Sequence, residues 1–595
     1  MVATYESRRP ALPDRHGIGT WLRERTSGLV ALAVVIGVGA GLGAIVFRWL
    51  VQSFTRLLSG TADYSVAGGA AHPWLPALGP WFVLVTPVIA GLVYGPLVQR
   101  FAPEARGHGV PEVMYAVAEH GGRIPAKVSF VKALASALCI GSGGSVGREG
   151  PIVQIGSALG SSLGRRVRLP ESRLRVLVAC GAAGGIAATF NAPLTGPFFA
   201  MELILSSFAV DSFAAVVVAS VTASVIGRAV LGNEAFLELP KLSLTGSHEY
   251  LLIVLLGVLA GALGIGFSRV LYLVEDLCDR LWRGPEWLRP AVGGLLVGGI
   301  LLVLPEMYGV GYPVLQNAIG GKYAVAFLLL LVVGKMLATS LTIGVGGSGG
   351  VFAPSLFIGG MAGTAFGAVV HELMPGATAA PGVYGMIGMG AAFAGAARAP
   401  ITAVIVLFEL TGEYSIILPL MAAIVIATLV SRAMSKGTIY TLKLRRRGVD
   451  LEASRATWPL TSRGVHGVVQ PLPEALRAEA ELSDAAQQLA LSGYGVLPVV
   501  DPDGEYRGCV TTRAVAQALG AQRLEPGGED PRRLTGDLAE LPPLITDRAT
   551  LAEALDALAS APGGALPVLD ESGRELSGWL THRRVLGALR EVPAS

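Results

Sequence analysis

The sequence predicts an all-α polytopic membrane protein followed by a soluble α/β tail. Three observations carry this. Of 595 residues, 52% are hydrophobic and only 15% are charged, against about 25% charged in ordinary soluble domains. Apolar stretches of bilayer length recur from about residue 28 to 434. From about residue 455 the composition turns polar, and two similar units follow. Together these exclude a soluble enzyme, a disordered chain and a fibrous protein. The net charge of +3 leaves no nucleic-acid footprint. The four cysteines, Cys139, Cys180, Cys278 and Cys509, are scattered without metal spacing. Three of them lie in apolar stretches and read as small core residues.

Residues 1–27 are polar and carry Arg8, Arg9, Arg15, Arg23 and Arg25. The apolar run from Gly28 to Trp49 is too long for the core of a signal peptide. The positive-inside rule therefore places the N-terminus in the cytoplasm. The basic loop Arg165–Arg175 and the cluster Arg445–Arg447 read the same way. Apolar stretches lie near 28–52, 80–98, 127–140, 175–232, 250–274, 290–304, 325–343, 351–371 and 384–434. Several are short or interrupted by Gly and Pro, the mark of a transporter-like fold with discontinuous helices.

The membrane region is duplicated. Gly-His-Gly-Val-Pro at 107–111 matches Gly-Val-Gly-Tyr-Pro at 309–313. GSGGSVGREGPIVQIGSALGSSLG (141–164) aligns without a gap with GVGGSGGVFAPSLFIGGMAGTAFG (344–367), with ten identities, seven of them Gly. APLTGPFFAMEL (192–203) matches APITAVIVLFEL (399–410). The offsets are 202, 203 and 207 residues. The residues alone do not show whether the copies are inverted.

Each copy carries Gly-rich loops leading into apolar helices. Glycine lets backbone N–H groups turn towards a ligand, and proline suits a helix's first turn. N–H groups at helix N-termini, with the positive end of the dipole, attract anions. Several such ends converging would bind an anion without a full positive charge, so it could still leave. The bland alternative is that glycines only allow close helix packing. It suits the scattered glycines, whereas the paired Gly-x-Gly-x-Pro and Gly-Arg-Glu-Gly-Pro blocks favour a site. Residues 141–151 lack the P-loop spacing, and Gly344, Gly346 and Gly349 fit a dinucleotide spacing without strand–helix–strand context.

Glu149 is the outstanding residue, because an ionisable group inside an apolar region is costly. At a helix start its carboxylate can replace an anion, and protonation should release it. It would thus be both gate and proton acceptor; the alternative is a plain capping glutamate. Glu202 and Glu409 are repeat mates, which points to structural carboxylates bound to backbone N–H groups. Glu112 reads as a first-turn charge. His108 could titrate near neutral pH or be polar lining. Tyr440 reads as an interfacial anchor or a pore hydroxyl.

These motifs resemble the CLC family of chloride channels and chloride/proton exchangers. Gly-x-Gly-x-Pro-Glu at 107–112, Gly-Arg-Glu-Gly-Pro at 147–151, Gly-Val-Phe-Ala-Pro at 350–354 and Tyr440 match its four signature sites in order, and the likeness covers roughly residues 28–445. The resemblance implies a homodimer with one pore per subunit, built from inverted repeats of broken helices. It implies that Glu149 is the external gating glutamate, that Tyr440 places its hydroxyl on the central anion, and that backbone N–H groups near Val351 and Phe352 line the site. His108, Gly109, Arg148 and Gly150 complete the expected anion-binding set. Two departures stand out. The family usually has Ser where His108 stands, which bears on anion selectivity. Exchangers usually carry an internal proton-transfer glutamate at the position of Leu203, which cannot hold a proton.

The tail units LPVVDPDGEYRGCVTTRAVAQAL (497–519) and LPVLDESGRELSGWLTHRRVLGAL (566–589) each read as strand, Asp/Gly turn, strand, helix. They resemble a CBS domain pair. Many such pairs bind adenosine nucleotides through Ser/Thr-x-x-Asp, but after Thr511 and Thr581 the Asp positions hold Ala514 and Arg584. That leaves nucleotide binding doubtful and favours a structural or dimer-stabilising pair. The expected organisation is an N-terminal segment 1–27, a transport domain 28–445 with repeats at about 28–232 and 250–440, a linker 446–466, and CBS domains at 467–525 and 535–592.

The expected function is passive, Glu149-gated transport of chloride or a similar small anion, with chloride/proton exchange as the alternative. A nucleotide-sensing regulatory membrane protein is a second alternative. The expected location is the inner cell membrane, with both termini cytoplasmic. No cofactor, metal or enzymatic activity is expected, since no nucleophile–base pair or metal spacing appears.

Overall fold

Glycine, proline and left-handed residues decide where the apolar chain breaks. The computed structural model describes residues 15–74, 76–232, 244–449, 451, 464–524, 534–547, 549–570 and 576–590. The chain divides near Leu451 into two compact units.

The membrane unit opens with α1 (Arg15–Glu24). Two series of eight helical elements follow. The first is α2 (Thr26–Ser59), α3 (Phe82–Phe101), α4 (Val110–Glu119), α5 (Lys127–Gly141), α6 (Glu149–Val167), α7 (Glu171–Phe190), α8 (Thr195–Phe199, continued by a π-helical turn to Leu205) and α9 (Val210–Leu231). The second is α10 (Glu249–Leu281), α11 (Arg289–Val303), α12 (Tyr312–Ile319), α13 (Val325–Gly344), α14 (Phe352–Leu373), α15 (Pro381–Ala397), α16 (Pro400–Thr411) and α17 (Ile417–Met434). A short α18 (Thr441–Arg446) closes the unit. Among the described residues, eight helices are long and apolar enough to span a membrane.

Others are too short to span. Helix α4 has 10 residues, about 15 Å at 1.5 Å per residue, half of a bilayer core. The stretches 175–232 and 384–434, continuous in hydropathy, each divide into three helices. The breaks have local causes. Asn191 and Arg398, repeat mates, take left-handed φ of 57° and 52° at the ends of α7 and α15. Pro400 then starts α16 at a position where its missing N–H costs nothing.

The two series are related by an approximate two-fold, seen in reciprocal contacts. Glu202 accepts from the Ile401 and Thr402 N–H groups (3.1 and 2.8 Å) and the Thr402 hydroxyl (2.6 Å). Glu409 accepts from the Leu194 and Thr195 N–H groups (2.8 and 2.6 Å) and the Thr195 hydroxyl (2.6 Å). Each repeat's carboxylate thus caps the other's helix start, as their symmetry predicted. Many scattered glycines serve packing. A β-carbon on Gly156 would lie 2.1 Å from the Gly181 carbonyl oxygen, and one on its mate Gly359 would lie 2.3 Å from that of Gly388. These pairs let α6 lie against α7, and α14 against α15, at backbone distance.

The tail holds two three-stranded sheets. In the first, β1 (Leu476–Arg477) pairs parallel with β2 (Val496–Val500), which pairs antiparallel with β3 (Tyr506–Thr511). In the second, β4 (Ile545–Thr546), β5 (Ala565–Leu569) and β6 (Leu576–Thr581) repeat that order. Helices Thr512–Leu524 and His582–Arg590 follow β3 and β6, as the strand–turn–strand–helix reading expected. The repeats also exchange bridges: Gln470 pairs with Trp579, and Glu540 with Cys509. Val496, Cys509, Ala565 and Trp579 form an apolar cluster joining the sheets. Burial there pushes the Cys509 thiol up to about 11, so it behaves as core rather than as a reactive group.

Candidate functional site

The duplicated loops meet one another at the centre of the membrane unit. Gly147 and Gly350, repeat mates, exchange N–H···O bonds of 2.8 and 2.6 Å. The Gly107 N–H donates to the Gly347 carbonyl at 3.1 Å, and the Gly349 N–H donates to that of Gly107 at 3.3 Å. Glycine is required where these backbones touch: a β-carbon on Gly150 would lie 1.9 Å from the His108 carbonyl oxygen. Gly109, at φ 80°, could not carry an L side chain without strain. These contacts gather the N-terminal ends of α4, α6 and α14 in one place.

Glu149 lies at that place, 1% exposed. Its carboxylate accepts from the Tyr312 hydroxyl at 2.7 Å and from the Ala353 N–H, in the first turn of α14, at 3.4 Å. A negative group thus occupies the end of a helix dipole, where an anion would sit. Val351 and Phe352 are buried beside it. The Phe352 ring packs against Phe190, Phe199 and Phe393, with centroids 5.6, 6.4 and 4.5 Å away. The Arg148 guanidinium lies over the Tyr312 ring, 5.5 Å from its centroid. Tyr440 is buried at the start of α18, where Thr438 receives its N–H, and it lies within electrostatic reach of Glu149.

His108 is fully buried, and neither ring nitrogen has a hydrogen-bond partner among the described residues. A buried imidazole left so costs free energy until a ligand or water meets it. Its ring lies 6.3 Å from that of Tyr272. Two cavities flank the centre. One, of about 250 Å³, is walled by Arg48, Asp63, Arg148, Tyr308 and Tyr312, next to Glu149. The other, of about 400 Å³, is walled by Gly107, Tyr272, Glu275, Lys443, Arg446 and Arg447, next to His108. Glu112, in the first turn of α4, pairs with Arg447 at 2.8 Å. Leu203 is buried in the π-helical turn and offers no titratable group.

Three residues here escaped the sequence reading. Tyr312 is one. The others are Lys132 and Lys335, repeat mates in apolar helices. Lys132 Nζ donates to the carbonyls of Ala105 and Gly107 at 2.8 and 2.7 Å. Lys335 Nζ donates to the Gly309 carbonyl at 3.0 Å and to Ser145 Oγ at 2.9 Å. Each lysine anchors its own repeat's Gly-x-Gly-x-Pro loop. The signal was available: two lone charges in apolar stretches at the repeat offset.

Two halves of broken helices, joined around a buried glutamate, define a class of membrane transport protein. Residues 90–432 match the family described as voltage gated chloride channel, and residues 468–521 and 538–591 match the CBS domain. The chain belongs to this CLC family, which transports chloride across membranes. It is 34% identical over 432 residues to a putative chloride channel protein ClcB-like of Ralstonia nicotianae, covering 71% of this chain and 98% of the relative. It is 34% identical over 422 residues to the H(+)/Cl(-) exchange transporter ClcA of Vibrio campbellii, covering 70% and 88%. Among solved structures, a slow cyanobacterial Cl-/H+ antiporter superposes with a TM-score of 0.63 at 28% identity, covering 70% of this chain and 97% of that one. A eukaryotic CLC transporter, at 22% identity and a TM-score of 0.58, shares the fold over 93% of this chain and 97% of its own.

Proposed function

We propose that the protein exchanges chloride for protons across the cell membrane along a path gated by Glu149. The observation that carries this is the Glu149 carboxylate, buried at the first turn of α14 in an anion's place. Protonation removes its charge and its attraction to the helix end, so chloride can take that position while the proton rides on the carboxyl. Val351 and Phe352 at the α14 start, Gly109 and Gly150 at the loop contacts, and the Tyr440 hydroxyl are the groups we assign to the anion's path. His108 supplies a side-chain N–H to it, and Arg148 raises the local anion concentration. With the N-terminus cytoplasmic, the cavity beside Arg48 and Glu149 lies at the far end of α2 and opens outward. The cavity edged by Arg446 and Arg447 then opens to the cytoplasm. We assign transport to residues 28–445, in the inner membrane as a homodimer.

The exchanger names among the relatives support this reading over the passive conduction that Leu203 led us to expect. Passive conduction through the same gate is the second reading. Leu203 supports it, as does Glu202, whose carboxylate is engaged by three donors of Ile401 and Thr402. A chloride gradient across liposomes holding a pH dye decides between them. Exchange predicts sustained uphill proton movement; chloride flux with a flat dye trace would establish the passive reading.

We assign the tail a structural role. Ala514 and Arg584 stand where a ribose-binding carboxylate would be, and the hydroxyls of Thr511 and Thr581 cap the following helices by accepting from the Ala514 and Arg584 N–H groups at 3.1 and 3.4 Å. Calorimetry on the whole protein in detergent should therefore show no ATP or AMP binding tighter than millimolar. A micromolar isotherm would instead make the tail a nucleotide sensor.

A further inference from the structure

The geometry points to Tyr312 as the latch that holds the Glu149 carboxylate in the anion path and sets the pH at which it lets go. This rests on Glu149 being the gate. The two Gly-x-Gly-x-Pro loops each bring one polar side chain to the centre, at different positions: His108 in the first and Tyr312 in the second. The repeat mate of Tyr312 is Val110, so the phenol is not imposed by the duplication. Its loop is built to be rigid. Gly309 and Gly311 take φ of 62° and 90°, and Lys335 Nζ holds the Gly309 carbonyl at 3.0 Å. The ring is fixed by the Arg148 guanidinium over one face and by Phe190 edge-on, at a centroid distance of 6.5 Å and 87°.

The charged and titratable groups around Glu149 are Arg148 on its own loop, Tyr312 on α12, Lys335 on α13 and Tyr440 at α18. Of these, Tyr312 donates it a hydrogen bond, 2.7 Å long against 3.4 Å for the Ala353 N–H. A donor to an ionised carboxylate stabilises that form, so the latch favours the closed, charged gate. Tyr312 also walls the cavity beside Glu149, so a proton arriving from there passes the ring.

The test is chloride flux into liposomes as a function of pH. Tyr312→Phe removes the donor and keeps the ring. Protonation of Glu149 becomes easier, and the profile should move to higher pH by about one to two units, the worth of one hydrogen bond to a charged group. A 3-fluorotyrosine at position 312, a stronger donor of nearly the same size, should move it to lower pH. Opposite shifts are not produced by a purely structural role, and the fluorinated protein guards against a folding defect in the phenylalanine variant. In a Glu149→Gln background both changes should have no effect on the profile. Profiles that coincide with wild type in both variants, while Glu149→Gln flattens the curve, overturn the latch and leave the gate intact. A Glu149→Gln curve with wild-type pH dependence overturns the gate and the latch with it.

Discussion

Glu149→Gln should abolish proton movement and leave chloride flux at or above the wild-type level, flat with pH. The amide has the carboxyl's shape without its charge, so it mimics the protonated gate at every pH. In the wild type the ionised form occupies the α14 helix end, and flux rises as pH falls and more of the carboxyl is protonated. An ordinary glutamate titrates near about 4.3, and burial penalises the charged form whereas Tyr312 and Ala353 favour it. The balance sets the midpoint, and the glutamine variant has none. Parallel recording of chloride and pH in liposomes reads both parts. A variant that still pumps protons uphill would show that the proton travels by another group. The CBS tail should be indifferent to this change.

How much of this was legible in the sequence differs residue by residue. The 203-residue offset marked Gly147 and Gly350 as mates, but their mutual bonds follow from the approximate two-fold between the series, which the residues alone did not show. For Glu202 and Glu409 the repeat relation alone pointed to their structural role. The breaks at Asn191 and Arg398 were not legible: hydropathy is blind to a left-handed φ, and neither residue is a glycine. Tyr312 was missed for a related reason. It stands in a loop whose glycines were noted, but the direction of its hydroxyl depends on backbone angles at Gly309 and Gly311 and on the Arg148 stack. Those are tertiary facts. In the tail the strands are short apolar runs buried along most of their length and bounded by Asp/Gly turns, so the sequence order of strand, turn, strand and helix appeared directly.

The buried lysines carry the other large expected effect. The anion site was expected to work without a full positive charge. Two lysines lie close to it, Lys132 aimed at two backbone carbonyls and Lys335 at one carbonyl and Ser145 Oγ. Lys132 and Lys335 are fully buried, and an ammonium persists there only because it is hydrogen-bonded. Methionine is close to lysine's stem in volume, so Lys→Met removes the charge and the donors with little change in packing. Lys335→Met leaves the Gly309 carbonyl and Ser145 Oγ without the ammonium they now share, at a cost of roughly 2–6 kcal/mol of stability, about 1–3 per unpaired group. Lys132→Met should cost less, because Ser348 Oγ still donates to the Ala105 carbonyl at 2.7 Å and the Gly349 N–H to that of Gly107 at 3.3 Å. The functional consequences should differ. Lys132 holds the His108 loop, so Lys132→Met should weaken chloride binding, read by calorimetry in detergent, by tenfold or more and leave the pH midpoint of flux in place. Lys335 holds the loop that delivers Tyr312, so Lys335→Met should move the flux profile to higher pH, in the same direction as Tyr312→Phe, with a smaller change in chloride affinity. If both variants fold and lose chloride affinity equally with unmoved profiles, the two lysines act as a common background charge, and the division of labour between the duplicated loops is refuted.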